Sequence, residues 1–284
     1  MRHRTLLPAL VTLCLAAAGA GCTRLPSRRD HDRLNRILQS GIEALKAGDY
    51  DEAARRFDEG LALSPGNPTF LTDKSLALRM RGGARYNDAI QLADEQARAS
   101  GKEAARRDIA DAAALAAEAV GRLKSAPEAG RDAGAYESNR RAALAAKADA
   151  LRLLASRFDR SRADEALAAT NEYLEAEADG EKRLKARLSA AQMLLDAGRG
   201  AEAAEEYRRV LAEDPDNLDA TMGAGLGLFQ SGDRAKYGEA AAYLRRFVER
   251  ADTNHPLRAS AKSALDFMSQ QGVPPGPRGE GARR

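Results

Sequence analysis

Apolar residues recur every three or four positions along the middle of the chain, which is the spacing of one face of an α-helix. Two such stripes are present: the first comprises Ile109, Ala113, Ala116, Val120 and Leu123, and the second comprises Leu144, Ala148, Leu151, Ala155 and Phe158. Segment 125–134 separates the stripes and contains a proline and two glycines, which favour a break. The pattern predicts antiparallel helices, with an irregular helical region over 102–146.

The spacing of glycines indicates an internal repeat. Gly48 and Gly82 are 34 positions apart, and so are Gly198 and Gly232. Short segments with an acidic residue and an alanine recur at 51–54, 87–90, 164–167, 201–204 and 238–241. An acid in the first turn favours a helix start because it complements the helix dipole. The spacing predicts tandem helix pairs, each joined by a turn at its glycine.

Two of the predicted pairs also end alike. Pro65 follows Gly48 at the same distance along the chain as Pro215 follows Gly198. Proline ends a helix because it lacks the backbone donor and clashes with the preceding turn. An alanine-rich bundle or coiled coil would share the helical stripes but would not produce these recurring spacings. The chain is therefore expected to be a solenoid of stacked helix pairs.

The two best repeats share small residues, a turn glycine, a second-helix alanine, an aromatic and a final proline. In 34–67 these are Gly41, Gly48, Asp49, Tyr50, Ala53, Phe57 and Pro65, and in 184–217 they are Ala191, Gly198, Ala203, Tyr207 and Pro215. This pattern resembles the tetratricopeptide repeat, although Ile37 and Arg187 stand where that family usually has tryptophan. The resemblance implies an all-α fold, an α-α superhelix of antiparallel helix pairs, over 34–101 and 147–254.

The other repeats depart from this pattern. Segments 68–101 and 218–254 carry extra residues before Tyr86 and Tyr237, which predicts a longer turn between their helices. Segment 147–181 matches only in its second helix.

The C-terminal part is expected to close the array. A helix over 255–270 is predicted to act as the cap that solenoids need. Its apolar face comprises Leu257, Ala261, Leu265 and Met268. Residues 271–284 are rich in proline, glycine and arginine and are expected to be disordered.

Composition also favours an all-α fold. Alanine, leucine, arginine and glutamate are good helix formers, aromatic residues make up only 5% of the chain, and tryptophan is absent. The net charge is +3, and acidic and basic residues are interspersed along the chain. Without a concentrated basic stripe, a nucleic-acid partner is not expected.

The N-terminus is typical of a secretory signal peptide over 1–21. Arg2 and Arg4 precede an uncharged apolar stretch over 6–20, which is shorter than the ~20 apolar residues of a transmembrane helix. The run Gly19-Ala20-Gly21-Cys22 resembles the lipobox of bacterial lipoproteins, except that leucine is usual at the position of Gly19. The resemblance implies that Cys22 becomes the first mature residue and carries lipid such as palmitate, followed by a polar tether over 22–33.

Cysteine usage favours this lipidation. The only other cysteine, Cys14, lies in the removed segment, so the mature chain cannot form an internal disulfide. Thr23 follows Cys22 where an aspartate would commonly retain a lipoprotein at the inner membrane. We expect an exported protein, lipid-anchored in the outer membrane and facing the periplasm. Simple secretory cleavage after Ala18 or Ala20, giving a soluble periplasmic or secreted protein, and an uncleaved anchor are the alternatives.

The sequence offers no constellation for catalysis or metal binding. The mature chain has two histidines, His31 and His255, and they lack metal-ligand spacing. The glycines of 223–227 follow no predicted strand, so they indicate close packing within a helix instead of a nucleotide loop. Asp214, Asp216 and Asp219 fit a turn, because an EF-hand needs glycine and glutamate at places where this chain has other residues. No catalytic residue, metal, cofactor or small-molecule substrate is predicted.

In a superhelix of this family, the first helix of each pair lines a concave groove that accepts a peptide or partner helix. The resemblance implies that positions four apart on these helices face the groove. They are Leu38, Ile42, Lys46, Leu188, Gln192, Asp196, Met222, Leu226 and Gln230. Burial between repeats is the alternative for several of these side chains.

These features together predict a non-enzymatic protein-binding scaffold of the bacterial cell envelope. Its partners would be other envelope proteins or peptides, and it would meet the membrane only through its lipid anchor. A role in assembling an envelope, pilus or secretion complex is expected. The alternative is an accessory module for peptidoglycan or exopolysaccharide export or processing, although the scarcity of aromatic residues counts against sugar stacking.

Overall fold

A computed structural model describes residues 28–125 and 133–272, and every regular element within these ranges is helical. The α-helices are α1 (Arg28–Ala47), α2 (Tyr50–Leu63), α3 (Pro68–Gln91), α4 (Glu95–Lys124), α5 (Ala133–Arg157), α6 (Ala163–Ala176), α7 (Gly180–Asp196), α8 (Gly200–Glu213), α9 (Leu218–Gln230), α10 (Tyr237–Arg250) and α11 (Arg258–Gln270). The predicted signal peptide, Cys22 and nearly all of the predicted C-terminal tail lie outside the described residues.

Consecutive helices pack against each other as pairs, and the odd-numbered helices also contact one another from repeat to repeat. Helices α1, α3, α5, α7, α9 and α11 therefore form one layer, which we call the inner face, and the even-numbered helices form the outer layer. The apolar stripes of α4 and α5 are buried as predicted, except that Phe158 is half-buried. The prediction of an all-α superhelix of helix pairs is confirmed.

Three of the four glycines that mark the repeat lie in turns between helices. Gly48, Gly198 and Gly232 have φ angles of 79°, 81° and 71°, in the left-handed region that other side chains disfavour. The turn that contains Gly232 is the longer one predicted before Tyr237, and it includes a 3-10 turn at Arg234–Lys236. For these three glycines the predicted role as turn residues is confirmed.

For Gly82 the prediction of a turn is wrong. This glycine is buried inside α3 and packs against α4. Helix α3 continues through Tyr86 to Gln91, so the predicted longer turn before Tyr86 and the predicted helix start at 87–90 are wrong as well. The extra residues lengthen the helix because Ala89, near its end, is still buried and contacts the first turns of α4 at Gly101.

The two proline-containing endings have the predicted form. Helices α2 and α8 end two residues before Pro65 and Pro215. In each case an asparagine two residues after the proline caps the next helix. The Oδ1 atom of Asn217 accepts a hydrogen bond from the backbone N–H of Ala220 at 2.9 Å, and Asn67 caps α3 likewise.

Three glycines let α9 approach its neighbours closely. Gly223 faces the ring of Tyr207 in α8, and Gly225 faces Leu244 in α10. Gly227 faces the first turn of α8, where an added β-carbon would lie 2.6 Å from a backbone carbonyl oxygen. The predicted place of these glycines within a tightly packed helix is confirmed.

The ends of the array differ from the predicted boundaries. Residues 28–33, assigned to the tether, belong to α1, because this segment contains no proline or glycine that would interrupt a helix. The cap begins at Arg258, since the preceding residues form a turn in which the N–H of Leu257 donates to Nδ1 of His255 at 3.2 Å. Leu257 is consequently 43% exposed, whereas the rest of the predicted apolar face packs inwards.

Candidate functional site

Among the residues that the structure describes, three pockets follow one another along the inner face in the order of the repeats. The N-terminal pocket, of about 370 Å³, lies between α1 and α3. The central pocket, of about 390 Å³, lies between α3, α5 and α7, and the C-terminal pocket, of about 460 Å³, lies between α7, α9 and α11. These volumes are at the small end of the ~300–1,000 Å³ of ligand sites, so each pocket suits one or a few side chains of a partner.

The C-terminal pocket contains four of the nine residues predicted to line the groove. Leu188 and Gln192 come from α7, and Met222 and Leu226 come from α9. Met222 is buried and forms a wall, whereas the side chain of Gln192 is exposed at the edge. With the exposed Leu257 beside them, these residues make a mainly apolar cavity with a polar rim.

Two of the three residues predicted from the first repeat lie in a different pocket. Ile42 and Lys46 line the N-terminal pocket, together with Leu45 of the same helix. The structure therefore brings the predicted groove residues together in two groups at opposite ends of the inner face.

Leu38, Asp196 and Gln230 line none of these three pockets. Leu38 is half-buried and packs against the core, so the alternative of burial between repeats applies to it. The other two residues end α7 and α9. Asp196 accepts a hydrogen bond from Nε2 of Gln192 at 2.9 Å, and Nε2 of Gln230 donates to the carbonyl oxygen of Leu195 at 3.2 Å.

The central pocket is strongly basic, which the sequence analysis did not anticipate. Nη2 of Arg79 lies 3.7 Å from Oδ2 of Asp149, and Nη2 of Arg152 lies 3.4 Å from Oδ1 of the same carboxylate. Each of these arginines has a buried Nε with no hydrogen-bond partner in the described part of the chain. Lys182 and Lys185 also line the pocket. Among the described residues that line this pocket, Asp149 is the one carboxylate and there are four cations, of which Lys182 also lies 3.9 Å from Asp179. Cations thus outnumber carboxylates here, and this excess attracts anionic groups.

The N-terminal pocket holds a carboxyl group that the sequence analysis also missed. Asp73 is half-buried beside Leu45 and Leu76. Burial raises the pKa of Asp73 to about 6. Among the described residues no side chain forms a hydrogen bond or salt bridge with it, Lys46 included. Asp73 precedes Leu76 and Met80 by three and seven positions, which places an acid on an apolar helix face. The sequence could therefore have identified this carboxyl group from its spacing.

The buried carboxyl groups of the outer layer, in contrast, are paired within the chain. Asp108 of α4 accepts hydrogen bonds from Nε of Arg81 at 3.0 Å and from Nη1 of Arg85 at 2.8 Å. Glu206 of α8 accepts from Nη1 of Arg187 at 3.4 Å, so the arginine at the family's tryptophan position links α7 to α8. These groups stabilise helix packing.

Asp214, Asp216 and His255, which the sequence singled out, have structural partners. Asp214 accepts a hydrogen bond from Nδ2 of Asn217 at 3.0 Å, in the turn before α9. The ring of His255 lies edge-on to Phe247 with centroids 5.0 Å apart. Within 28–125 and 133–272, no group of His, Cys, Asp or Glu side chains is arranged to hold a metal ion. Over the same ranges, no helix has both the length and the apolar character needed to cross a bilayer.

Stacked helix pairs with a pocketed inner face define a helical-repeat scaffold that binds segments of other proteins. Residues 38–104, 151–217 and 188–256 match the tetratricopeptide repeat. These residues make up more than half of the chain, and the chain belongs to the tetratricopeptide repeat family. Proteins of this fold are typically non-enzymatic protein-interaction scaffolds.

Solved structures that are similar to this chain include two tetratricopeptide repeat domains. The P58(IPK) TPR domain is 14% identical, with 89% of this chain and 72% of that chain covered and a TM-score of 0.36. The complex of the TPR2AB domain of yeast Sti1 with pHSP90 is 15% identical, with coverages of 84% and 100% and a TM-score of 0.32. No curated protein matches the chain.

Proposed function

We propose that this chain is a lipid-anchored scaffold of the bacterial cell envelope, which holds a segment of another envelope protein on its inner face. The observation that carries the proposal is the C-terminal pocket, where α7 and α9 bring Leu188, Gln192, Met222 and Leu226 to one cavity of about 460 Å³. The scaffold is proposed to assist the assembly of an envelope, pilus or secretion complex.

The composition of this pocket suits an apolar side chain of a partner. Leu226 is half-buried and Leu257 is 43% exposed, so a partner that covers them removes apolar surface from water at about 25 cal/mol per Å². Gln192 and Asp219 are exposed at the edge, where they can bond a partner's backbone. A short extended segment or one face of a helix meets these requirements.

The envelope location is supported by residues that precede α1. The signal-like segment 1–21 and the lipobox-like run ending at Cys22 favour export and acylation. Only residues 22–27 separate the proposed lipid from the start of α1. A segment of this length spans at most about 20 Å, so a lipid at Cys22 would hold the scaffold close to the membrane surface. We propose the outer membrane, with the scaffold in the periplasm.

The proposal is tested by affinity purification from detergent-solubilised membranes, with co-purifying proteins identified by mass spectrometry. The wild-type chain is compared with Cys22→Ala, with the pocket variants Leu226→Glu and Gln192→Arg, and with Leu63→Glu. Leu63 is an exposed apolar residue at the end of α2, outside the three pockets, so its variant is a matched control. Gln192 is exposed, so its variant tests the pocket without burying a charge.

We expect one envelope complex to co-purify with the wild type and with Leu63→Glu, and to be lost from both pocket variants. Cys22→Ala is expected to move the chain to the soluble fraction. If the wild type is itself soluble, the lipid anchor is wrong. If both pocket variants keep the partner, the pocket is not the binding site. Retention of the wild type on peptidoglycan or exopolysaccharide, without a protein partner, would favour the alternative role in polysaccharide export.

A further inference from the structure

The Asp73 carboxyl carries a free-energy cost that nothing in the described part of the chain offsets. Burial of a carboxylate is unfavourable unless hydrogen bonds or a cation compensate for the lost water. Asp108 and Glu206 have such partners, as described above, whereas Asp73 has none among the residues that the structure describes. Pairing with a cation from another molecule would therefore release more free energy at Asp73 than at a carboxylate that is solvated or already paired.

The walls around Asp73 restrict what that cation can be. The half-buried wall residues are mostly apolar, and Met80 is 39% exposed at the opening. They are Ile42, Leu45, Tyr50 and Leu76. A metal ion or a small hydrated cation would gain nothing from these apolar walls. A lysine or arginine has an aliphatic stem that packs on apolar surface and a charged head that pairs with a carboxylate. The cavity of about 370 Å³ has room for such a side chain.

Lys46 of α1 lines the same pocket but does not pair with the Asp73 carboxylate. Its side chain is exposed, and it forms no salt bridge with Asp73 in the structure. An incoming cation would therefore meet a free carboxylate at the cost of some repulsion from Lys46. Removal of the Lys46 charge is expected to strengthen binding of a basic partner residue.

We propose that the N-terminal pocket binds a lysine or arginine side chain of the partner protein, flanked in the partner by an apolar residue that covers Met80. The inference rests on the proposed function, because it assumes that a partner segment lies along the inner face. The inference adds which kind of partner residue binds at the α1–α3 end of the inner face. It thereby also specifies how the segment is aligned along that face.

The test uses a phage-displayed library of short random peptides selected on the full-length chain in detergent. Synthetic versions of the selected peptides are then measured by fluorescence anisotropy against the wild type, Asp73→Asn, Lys46→Met, Leu226→Glu and Asp88→Asn. Asp88 is an exposed acid of the same helix, away from the pocket, so Asp88→Asn is the matched control. Each peptide is also made with norleucine in place of its basic residue.

We expect selected peptides to share a basic residue next to an apolar one. Asp73→Asn should weaken their binding by roughly tenfold or more, Asp88→Asn should leave it unchanged, and Lys46→Met should strengthen it. The norleucine peptides should bind the wild type and Asp73→Asn equally, which would locate the basic residue at Asp73. Thermal unfolding of each variant shows that it is folded.

Peptides without a basic residue, or basic peptides that bind Asp73→Asn as tightly as the wild type, would overturn the inference. So would a selection that yields no binder. A peptide that fails to bind Leu226→Glu but binds Asp73→Asn as tightly as the wild type would overturn only the inference. The proposed function of the groove would then stand.

Discussion

Gly82 of α3 lies so close to Ile109 of α4 that an added β-carbon at position 82 would be 2.6 Å from Cγ1 of Ile109 and 3.0 Å from the carbonyl oxygen of Ala105. We therefore expect Gly82→Ala to push α3 and α4 apart. Overpacking of this kind costs about 1–3 kcal/mol of unfolding free energy. Urea denaturation followed by circular dichroism measures the change.

Gly83 provides the control, because an added β-carbon there would meet nothing within 4 Å. Alanine is favoured over glycine in a helix interior, so Gly83→Ala should stabilise the protein by roughly 0.5–1 kcal/mol. Opposite signs for two adjacent positions would establish the close approach of α3 and α4. Equal effects at both positions would contradict it.

The buried carboxyl of Asp73 should make stability depend on pH. Its pKa is raised from the ordinary 3.8 to about 6, so the folded chain holds this proton more tightly than the unfolded chain does. The stabilisation from protonation is complete below pH 4 and is lost as the pH rises through 6. Asp73→Asn should therefore be more stable than the wild type at pH 7.5, by about 1–2 kcal/mol after allowance for solvent screening.

The measurement is a series of urea denaturation curves from pH 4 to 7.5 for both proteins. The difference between Asp73→Asn and the wild type should vanish near pH 4. A difference that is constant across the series would mean that Asp73 titrates normally in the folded chain.

The network around Asp108 should contribute more to stability than the exposed ion pairs. The side chain of Asp108 is only 7% exposed and accepts from both Arg81 and Arg85. Asp108→Asn removes a charge-assisted acceptor and leaves those guanidiniums without it, which should cost about 2–3 kcal/mol. Chemical denaturation measures the loss.

The control for Asp108 is Glu103, whose side chain is 41% exposed and pairs with Arg106 and Arg107. Glu103→Gln is expected to cost much less stability than Asp108→Asn, because water competes with an exposed pair. If both variants lose the same stability, burial does not distinguish the two networks.

The cap at Asn217 should show a graded response to substitution. Its Oδ1 atom bonds the N–H of Ala220 at the start of α9. Asn217→Ala should cost about 1 kcal/mol, whereas Asn217→Gly should cost only a few tenths, because glycine leaves the cap backbone accessible to water. Thermal denaturation of the two variants compares them directly, and equal losses would argue against a capping role.

Helical phase and turn residues were predictable from the sequence because they depend on local interactions. Gly198 and Gly232 lie in turns between helices, as their spacing predicted, and Asn217 caps a helix directly after its proline turn. Gly82 is spaced from Gly48 in the same way but lies within a helix. The spacing does not report φ, and what keeps α3 helical at Gly82 is its contact with α4, a helix that lies further along the chain.

The candidate site was predictable only in part. The periodicity identified Leu188, Gln192, Met222 and Leu226, which do meet in one pocket. It did not show that the groove residues fall into two groups, because pocket membership depends on how neighbouring helices cross. The basic central pocket was missed for the same reason, since its cations come from three helices that are distant in sequence.

Most of helix α9 is buried between its neighbours, and this has a consequence for the motions of the array. Its run from Ala220 to Gly225 is wholly buried, between α8 on one flank and α10 on the other. Amide hydrogens in such a helix exchange with solvent only when the flanking pairs separate, so they report the opening of the C-terminal repeats as one cooperative unit. A ligand in the C-terminal pocket bridges α7, α9 and α11, and it would slow that opening without touching most of the amides that it protects.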